Sequence, residues 1–327
     1  MDFDHDRRLA GFHAWTETPL QERIGSGKYG EVFVSGAAAA KRLDLRGRSR
    51  GSRRQAFREH VVGLLQTLLL LERATPHLPW HYGARFDVEP EGLGLSLFME
   101  RFDLSLAAAA PLPQDAWRPL LFQLLHAVGC LSFVFGVSHN DAYPRNILLR
   151  RYATPRRVRY EVFGRPYEVE APFLAAVTDY GIASGELLGA PGAPEVASKG
   201  PLIAPGPRFS VVPPREHILR YDLPPYSRDA YTLLKLPVYG SSEVPPAPLE
   251  ERLWGLWALS RVDAGDFTRR SAPLRLLEEL FPAAPHGAAP AFRLAPDLRQ
   301  RLLPRACELL KAAALEDAAW AREVSQK

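Results

Sequence analysis

The apolar pattern along the chain begins as short strand-like runs around turn residues and gives way to helical spacing. Glu22 to Val34 reads as two strands around a glycine turn, and Ser35-Gly36 offers a tight hairpin turn into a third strand, Ala37–Leu45. Ala56 to Arg73 places leucines and valines at helical spacing without proline, which predicts a long helix. Leu95 to Phe102 reads as a buried strand ending at a polar break. Farther on, Pro119–Val137 is an apolar helix, Asp229–Lys235 begins another, and Leu249–Val262 is a third, with Trp254 and Trp257 on one face. Leu298–Val324 reads as two terminal helices, because Pro304 lacks the N–H that a continuous helix needs. Arg157 to Val177 alternates around Gly164-Arg165, a hairpin pattern, and the Gly- and Pro-rich stretch from Gly185 to Pro214 predicts a long surface loop.

Composition narrows the class. A chain of 327 residues, rich in aliphatic and aromatic side chains, can bury a substantial core as one domain or two lobes. The apolar run Val61–Leu71 is interrupted by Gln66 and Thr67 and falls short of the roughly 20 residues a membrane span needs. The opening MDFDHDRRLAGF has no apolar centre, so it does not read as a secretory signal. With Cys130 and Cys307 in apolar, unpaired settings, these features predict an intracellular, cytoplasmic chain with reduced core thiols and no membrane partner. Residues 1–19 read as a frayed tail, although Phe12 and Trp15 offer docking groups. The net charge of +4 is mild and does not call for a nucleic-acid partner. The densest basic run, Arg46 to Arg58, is expected to be a solvated loop, with an acidic partner or nucleic acid as the alternative.

Three segments carry chemistry. Gly25, Gly27 and Gly30 lie between two strands, where the missing Cβ atoms let backbone N–H groups approach a polyphosphate. The turn leads into a strand rather than a helix, which separates the pattern from a dinucleotide-binding turn. In Ser138-His139-Asn140-Asp141-Ala142-Tyr143-Pro144-Arg145-Asn146, Asp141 is spaced to accept or orient a hydroxyl proton. Asn146, five positions on, can offer an amide oxygen to magnesium, while His139 reads as a packed scaffold residue. In Thr178-Asp179-Tyr180-Gly181 an apolar strand delivers a carboxylate before a glycine turn, a second magnesium candidate.

Taken in order, the glycine loop with Val32, Ala39-Ala40-Lys41, a helical Glu59, His-Asn-Asp-(x)4-Asn and Asp-Tyr-Gly resemble the signature set of the protein-kinase superfamily. The resemblance covers about Leu20 to Leu236. It implies an α+β, bilobal protein-kinase-like fold: a small ATP-binding lobe over 20–100 and a large helical lobe over 101–327, with a hairpin insertion at 151–177 and an activation segment at 179–216. The cofactors it implies are ATP and Mg2+. Lys41 would neutralise the α- and β-phosphates with Glu59 holding it, Asp141 would be the base, and Asn146 and Asp179 would hold the metal. Met99 falls at the gatekeeper position; the carbonyl of Glu100 and the N–H of Phe102 would bond adenine, with Val32, Ala39 and Leu148 sandwiching the ring. Pro213-Pro214-Arg215-Glu216 sits where the family has Ala-Pro-Glu, and Asp229 resembles the buried helix Asp that anchors the catalytic loop.

The departures also bear on function. Asn140 replaces the Arg that precedes the catalytic Asp, so the usual partner of an activation-segment phosphate is missing. Tyr143 stands where serine/threonine kinases carry Lys, whereas Arg145 resembles the Arg of many tyrosine kinases and could steady the transferring phosphoryl group. The elongated hairpin and the Asn-Asp loop look similar to kinase-like proteins of large DNA viruses and divergent bacterial relatives. The expected partner is a protein substrate, its hydroxyl from serine or threonine in preference to tyrosine. A small-molecule kinase of the aminoglycoside or choline type and a nucleotide-binding pseudokinase scaffold are the alternatives.

Overall fold

A computed structural model of the chain describes residues 8, 18–27, 30–44, 50–89, 92–185, 225–264, 271–285 and 287–325. It is a mixed α+β protein with antiparallel sheets and, among the described residues, seven α-helices. Strands β1 (Arg23–Gly27), β2 (Gly30–Ser35), β3 (Ala38–Asp44), β4 (His81–Glu89) and β5 (Gly92–Glu100) form one antiparallel sheet in the order β1-β2-β3-β5-β4. The β2–β3 turn is Gly36-Ala37, one residue later than the Ser35-Gly36 expected from sequence. Gly36 has φ +57°, a left-handed conformation that glycine adopts without Cβ strain. That turn sets a register pairing Val32 with Lys41, while β3 and β5 pair Lys41 with Leu97 and Ala39 with Met99. Cross-strand partners share a face and neighbours along a strand alternate, so Val32, Ala39, Lys41, Leu97 and Met99 lie on one face, and Glu100 on the other.

Helix α1 (Arg50–Leu71) connects β3 to β4. It starts six residues before Ala56, which corrects the basic-loop reading: Arg50–Arg58 is the opening of a helix, and Arg58 is buried. The buried stripe Phe57, Val61, Leu65, Leu68 holds the helix in place, and Arg and Gln are good helix formers that extend it upstream. The frayed-tail expectation is corrected at Arg8, which is only 5% exposed.

The second half is built around α3 (Trp117–Phe135), preceded by the helical turn α2 (Leu106–Ala109). α3 is apolar nearly all round and is therefore buried on nearly every side. It stops at Gly136, φ +67°, whose N–H reaches the carbonyls of Leu131 and Ser132. Gln114–Phe135, rather than Val61–Leu71, is the one helical stretch among the described residues long and apolar enough to cross a membrane. In the protein 83% of its apolar window is buried, so the core accounts for its composition.

Short β6 (Leu104–Ser105) and β7 (Val137–Ser138) flank α3, and the long strands β8 (Ile147–Val162) and β9 (Arg165–Val177) come after them. β8 and β9 pair as a hairpin whose turn is Phe163-Gly164, again one residue from the predicted Gly164-Arg165. Their pairing starts at Ile147, with an irregularity between Arg151 and Arg156, so the hairpin is an outward continuation of the strands that leave the Asp141 loop. β10 (Ser184–Gly185) pairs with β7, and β11 (Phe292–Leu294) adds to β8 in parallel.

Helices α4 (Pro225–Tyr239), α5 (Leu249–Ala264), α6 (Ala272–Leu280) and α7 (Leu298–Ser325) complete the described fold. α7 runs unbroken through Pro304, against expectation. Its buried positions Leu298, Leu302, Ala306, Leu310 and Ala313 stay in helical register across the proline, so packing on both sides offsets one lost backbone bond. On α5, Trp254 packs against the core while Trp257 is exposed, so the two do not share a buried face. Of the two thiols, Cys130 is fully buried and Cys307 only half-buried. The largest hydrophobic cluster is continuous from Ala38 to Ala313.

A buried polar staple joins the segment after α1 to the hairpin. His77 Nδ1 lies 3.0 Å from the Ala175 carbonyl and Nε2 lies 2.9 Å from the Tyr160 hydroxyl. A carbonyl only accepts, so Nδ1 carries the hydrogen and Nε2 receives the tyrosine O–H. Burial holds this imidazole well below its ordinary pKa, and it stays neutral.

Candidate functional site

Lys41 reaches out of the sheet and ties three elements together. Its Nζ donates to both carboxylate oxygens of Glu59 on α1, each at 2.8 Å, and to Asp179 Oδ1, just beyond β9, at 2.9 Å. Burial disfavours the ammonium, but the charges of Glu59 and Asp179 outweigh it and raise the Lys41 pKa. Burial likewise pushes the Asp179 carboxyl up; the charge and hydrogen bond of Lys41 prevail and hold it below the usual carboxylate range. Asp179 has φ +66°, a left-handed conformation strained for a residue with a Cβ.

The loop after β7 is pinned from behind. The Asp229 carboxylate, on α4, accepts the backbone N–H groups of His139 at 2.6 Å and Asn140 at 2.8 Å. His139 Nδ1 accepts the Asp141 N–H at 3.0 Å, so Nε2 carries the hydrogen and donates to the Thr178 carbonyl at 2.8 Å. Its ring also stacks edge-on against Tyr180 at 4.4 Å. With both ring nitrogens engaged by backbone, His139 is a scaffold joining the Asp141 loop to Asp179. Asn140, at φ +66°, uses its amide to reach the Ile182 carbonyl at 3.1 Å and Ser184 Oγ at 2.9 Å. A neutral tether thus stands at the position where the resemblance leads one to look for a cation.

Asp141 faces Asn146 and Arg145. Asn146 Nδ2 donates to the Asp141 carbonyl at 2.8 Å and to Asp141 Oδ2 at 2.9 Å, which leaves Asn146 Oδ1 as its open acceptor. Arg145 approaches the same carboxylate at 3.3 Å and lies over the Tyr143 ring. Burial raises the Asp141 pKa above the ordinary aspartate value, against the electrostatic influence of His139 and the Arg145 cation; Asp179 pushes in the same direction as burial. The Asp141 and Lys41 groups are joined through backbone as well, since the Thr178 N–H donates to the Asn146 carbonyl at 2.9 Å.

The remaining candidates divide. Met99 lines a small cavity with Glu59, Gln66, Leu97, Asp179 and Tyr180, and its sulfur lies 3.9 Å from Thr178 Oγ1. Phe102 and Leu148 pack in one cluster with Leu174 and Ala176. The Glu100 side chain points away, into contacts with Arg8 and Arg150, as strand alternation after Met99 requires. Among the glycines, a Cβ at Gly30 would lie 2.3 Å from the Arg42 carbonyl oxygen, so β3 itself excludes a side chain there. At Gly25 a Cβ would meet only Val32, at 3.7 Å. Gly27 ends β1 opposite Gly30, while Lys28, Tyr29 and the segment holding Pro213–Glu216 lie outside the described residues. Sequence reasoning missed Arg8, Arg150 and the Asn140 tether, because single polar residues carry no spacing signal.

Among the described residues no group of three or more His, Cys, Asp or Glu side chains is gathered as for an all-protein metal cage. Asn146 Oδ1 and the ionised Asp179 carboxylate are the oxygen donors here that could take a hard cation. Neither a protein-family model nor a curated protein matches this chain.

Proposed function

We propose that the chain is an ATP- and magnesium-dependent phosphotransferase, a bilobal protein-kinase-like enzyme that transfers the γ-phosphoryl group to a protein hydroxyl, serine or threonine in preference to tyrosine. The observation that carries the reading is the single ammonium of Lys41 held between Glu59 and Asp179, with Asp141 and Asn146 hydrogen-bonded to each other beside it. These groups come from a sheet, a helix and two loops, and a scaffold has no chemical use for such an arrangement. In this reading residues 20–100 form the nucleotide-binding lobe and 101–327 the substrate lobe.

Bound magnesium would sit against Asn146 and Asp179 and offset charge on the phosphates. Lys41, already oriented by Glu59, supplies a second positive charge to the phosphate chain. Val32, Ala39 and Leu148 sandwich the adenine, and the Glu100 carbonyl with the Phe102 N–H bonds its edge. Asp141 orients the acceptor hydroxyl and takes its proton; its raised pKa makes it a better proton acceptor than a solvated aspartate. Arg145, beside it, steadies the moving phosphoryl group. Most of the rate enhancement comes from positioning and electrostatics.

The test is to incubate purified chain with Mg-ATP and a panel of protein acceptors alongside choline and aminoglycosides, with Asp141→Asn as control. Transfer to protein, lost in Asp141→Asn, supports the proposal. Transfer to small molecules alone redirects it, and absence of both transfer and nucleotide binding overturns it.

A further inference from the structure

Arg8 stands far upstream of the Lys41 and Asp141 groups, yet its side chain is buried and makes four hydrogen bonds. Nε and Nη2 donate to the two Glu100 oxygens, each at 2.7 Å. Nη1 reaches the Pro76 carbonyl at 3.1 Å and Nη2 the Leu78 carbonyl at 2.8 Å. The Arg8 carbonyl in turn accepts the Tyr82 hydroxyl at 3.0 Å. One side chain thereby joins the end of β5 to the segment that leads from α1 into β4.

Glu100 passes the connection on. Its Oε1 also accepts Arg150 Nη1 at 2.7 Å, and its Oε2 the Trp80 N–H at 3.2 Å. Arg150, on β8, donates to the Arg101 carbonyl at 2.5 Å and lies over the Phe102 ring at 4.8 Å. Asp103 is held at both ends: its N–H donates to the Leu149 carbonyl and its carboxylate accepts the Arg151 N–H. The Arg101 carbonyl is thus reached from Arg8 through Glu100 and Arg150, and the Asp103 N–H is held by Leu149, the chain neighbour of Arg150. Burial pushes the Glu100 carboxyl up, but the charges and bonds of Arg8 and then Arg150 prevail and lower its pKa, so it remains a carboxylate.

We propose that Arg8 is a positioning residue for the Glu100–Asp103 connection, and through it for the adenine end of the nucleotide. The nucleotide half rests on the phosphotransfer reading; the positioning half does not. Arg8 touches no reacting group, because Glu100 projects from the face of the sheet opposite Lys41. Its guanidinium matches a carboxylate and two carbonyls at fixed angles, which a lysine ammonium cannot reproduce. Without it, Glu100 keeps Arg150, while the Pro76 and Leu78 carbonyls lose their donor.

The experiment uses the full chain and the variants Arg8→Ala and Arg8→Lys. In nucleotide-free protein, amide hydrogen exchange over Arg101–Asp103 is expected to quicken by about 10-fold in Arg8→Ala, an amount matching the loss of one or two hydrogen bonds. Exchange over Leu120–Leu131, in the middle of α3, is expected to stay at the wild-type rate. The KM for Mg-ATP should rise by about 10-fold with kcat within about two-fold of wild type, and Arg8→Lys should fall between the two. Unchanged exchange at Arg101–Asp103, or equal acceleration in α3, overturns the proposal. If Arg8→Ala does not fold, Arg8→Lys decides by the same pattern at smaller amplitude. Should wild-type chain bind no nucleotide, the phosphotransfer reading falls, and exchange in the free protein still decides the role of Arg8.

Discussion

Asp229 accepts the backbone N–H of His139 at 2.6 Å with one carboxylate oxygen, and its other oxygen takes the neighbouring N–H of Asn140. The residue on α4 thus fixes the two peptides directly before Asp141. Replacing it with alanine leaves two N–H groups buried without partners, at about 1–3 kcal/mol each. Asp229→Ala is therefore expected to lower unfolding free energy by about 2–6 kcal/mol and to abolish phosphoryl transfer, read by urea titration and turnover. Asp229→Asn keeps one acceptor and should lose less of both. Wild-type stability in the alanine variant would contradict the anchoring role.

The three-way contact of Lys41 with Glu59 and Asp179 makes a graded prediction. Lys41→Met leaves two carboxylates facing each other and removes the cation from the phosphates, so activity should fall by orders of magnitude, about 10²-fold or more. Glu59→Gln keeps one hydrogen bond to Lys41 and should fall less. Initial rates at saturating Mg-ATP separate the two, and a fully active Lys41→Met would count decisively against the phosphotransfer reading.

The raised pKa of Asp141 fixes the sign of a pH effect. A base must be ionised, so kcat/KM should drop as pH falls through the folded pKa, at a midpoint above the ordinary aspartate value of 3.8. The Arg145 cation lowers that pKa. Arg145→Ala is accordingly expected to move the acid limb to higher pH. A pH–rate profile whose limb stays put or moves down would refute the assignment.

Gly25 and Gly30, on the paired strands β1 and β2, should behave differently from one another. Gly30→Ala forces a Cβ against the Arg42 carbonyl and should cost about 1–3 kcal/mol of stability by thermal or urea unfolding. At Gly25 the same substitution meets ordinary contact distances, so stability should hold. If a polyphosphate lies against Gly25, its alanine variant weakens Mg-ATP binding with Tm unchanged; unaltered binding would remove Gly25 from the nucleotide site.

Near-neighbour patterns along the chain were enough to specify its local content. Strand alternation, helical spacing and turn residues located β1–β3 and α3 to within a few residues and found α1 and the β8–β9 hairpin with their starts placed too late, because these signals act between near neighbours. The order of Lys41, Glu59, Asp141, Asn146 and Asp179 was legible through the resemblance of the motifs that carry them. Which of these groups meet, and which local rules give way, depends on packing between distant segments. Lys41 and Asp179 touch across 138 positions and Arg8 and Glu100 across 92, distances over which no periodicity operates. Packing likewise kept α7 continuous through Pro304 and drew Arg50–Arg58 into a helix, because a buried stripe shared over many residues outweighs one missing hydrogen bond or a run of like charge.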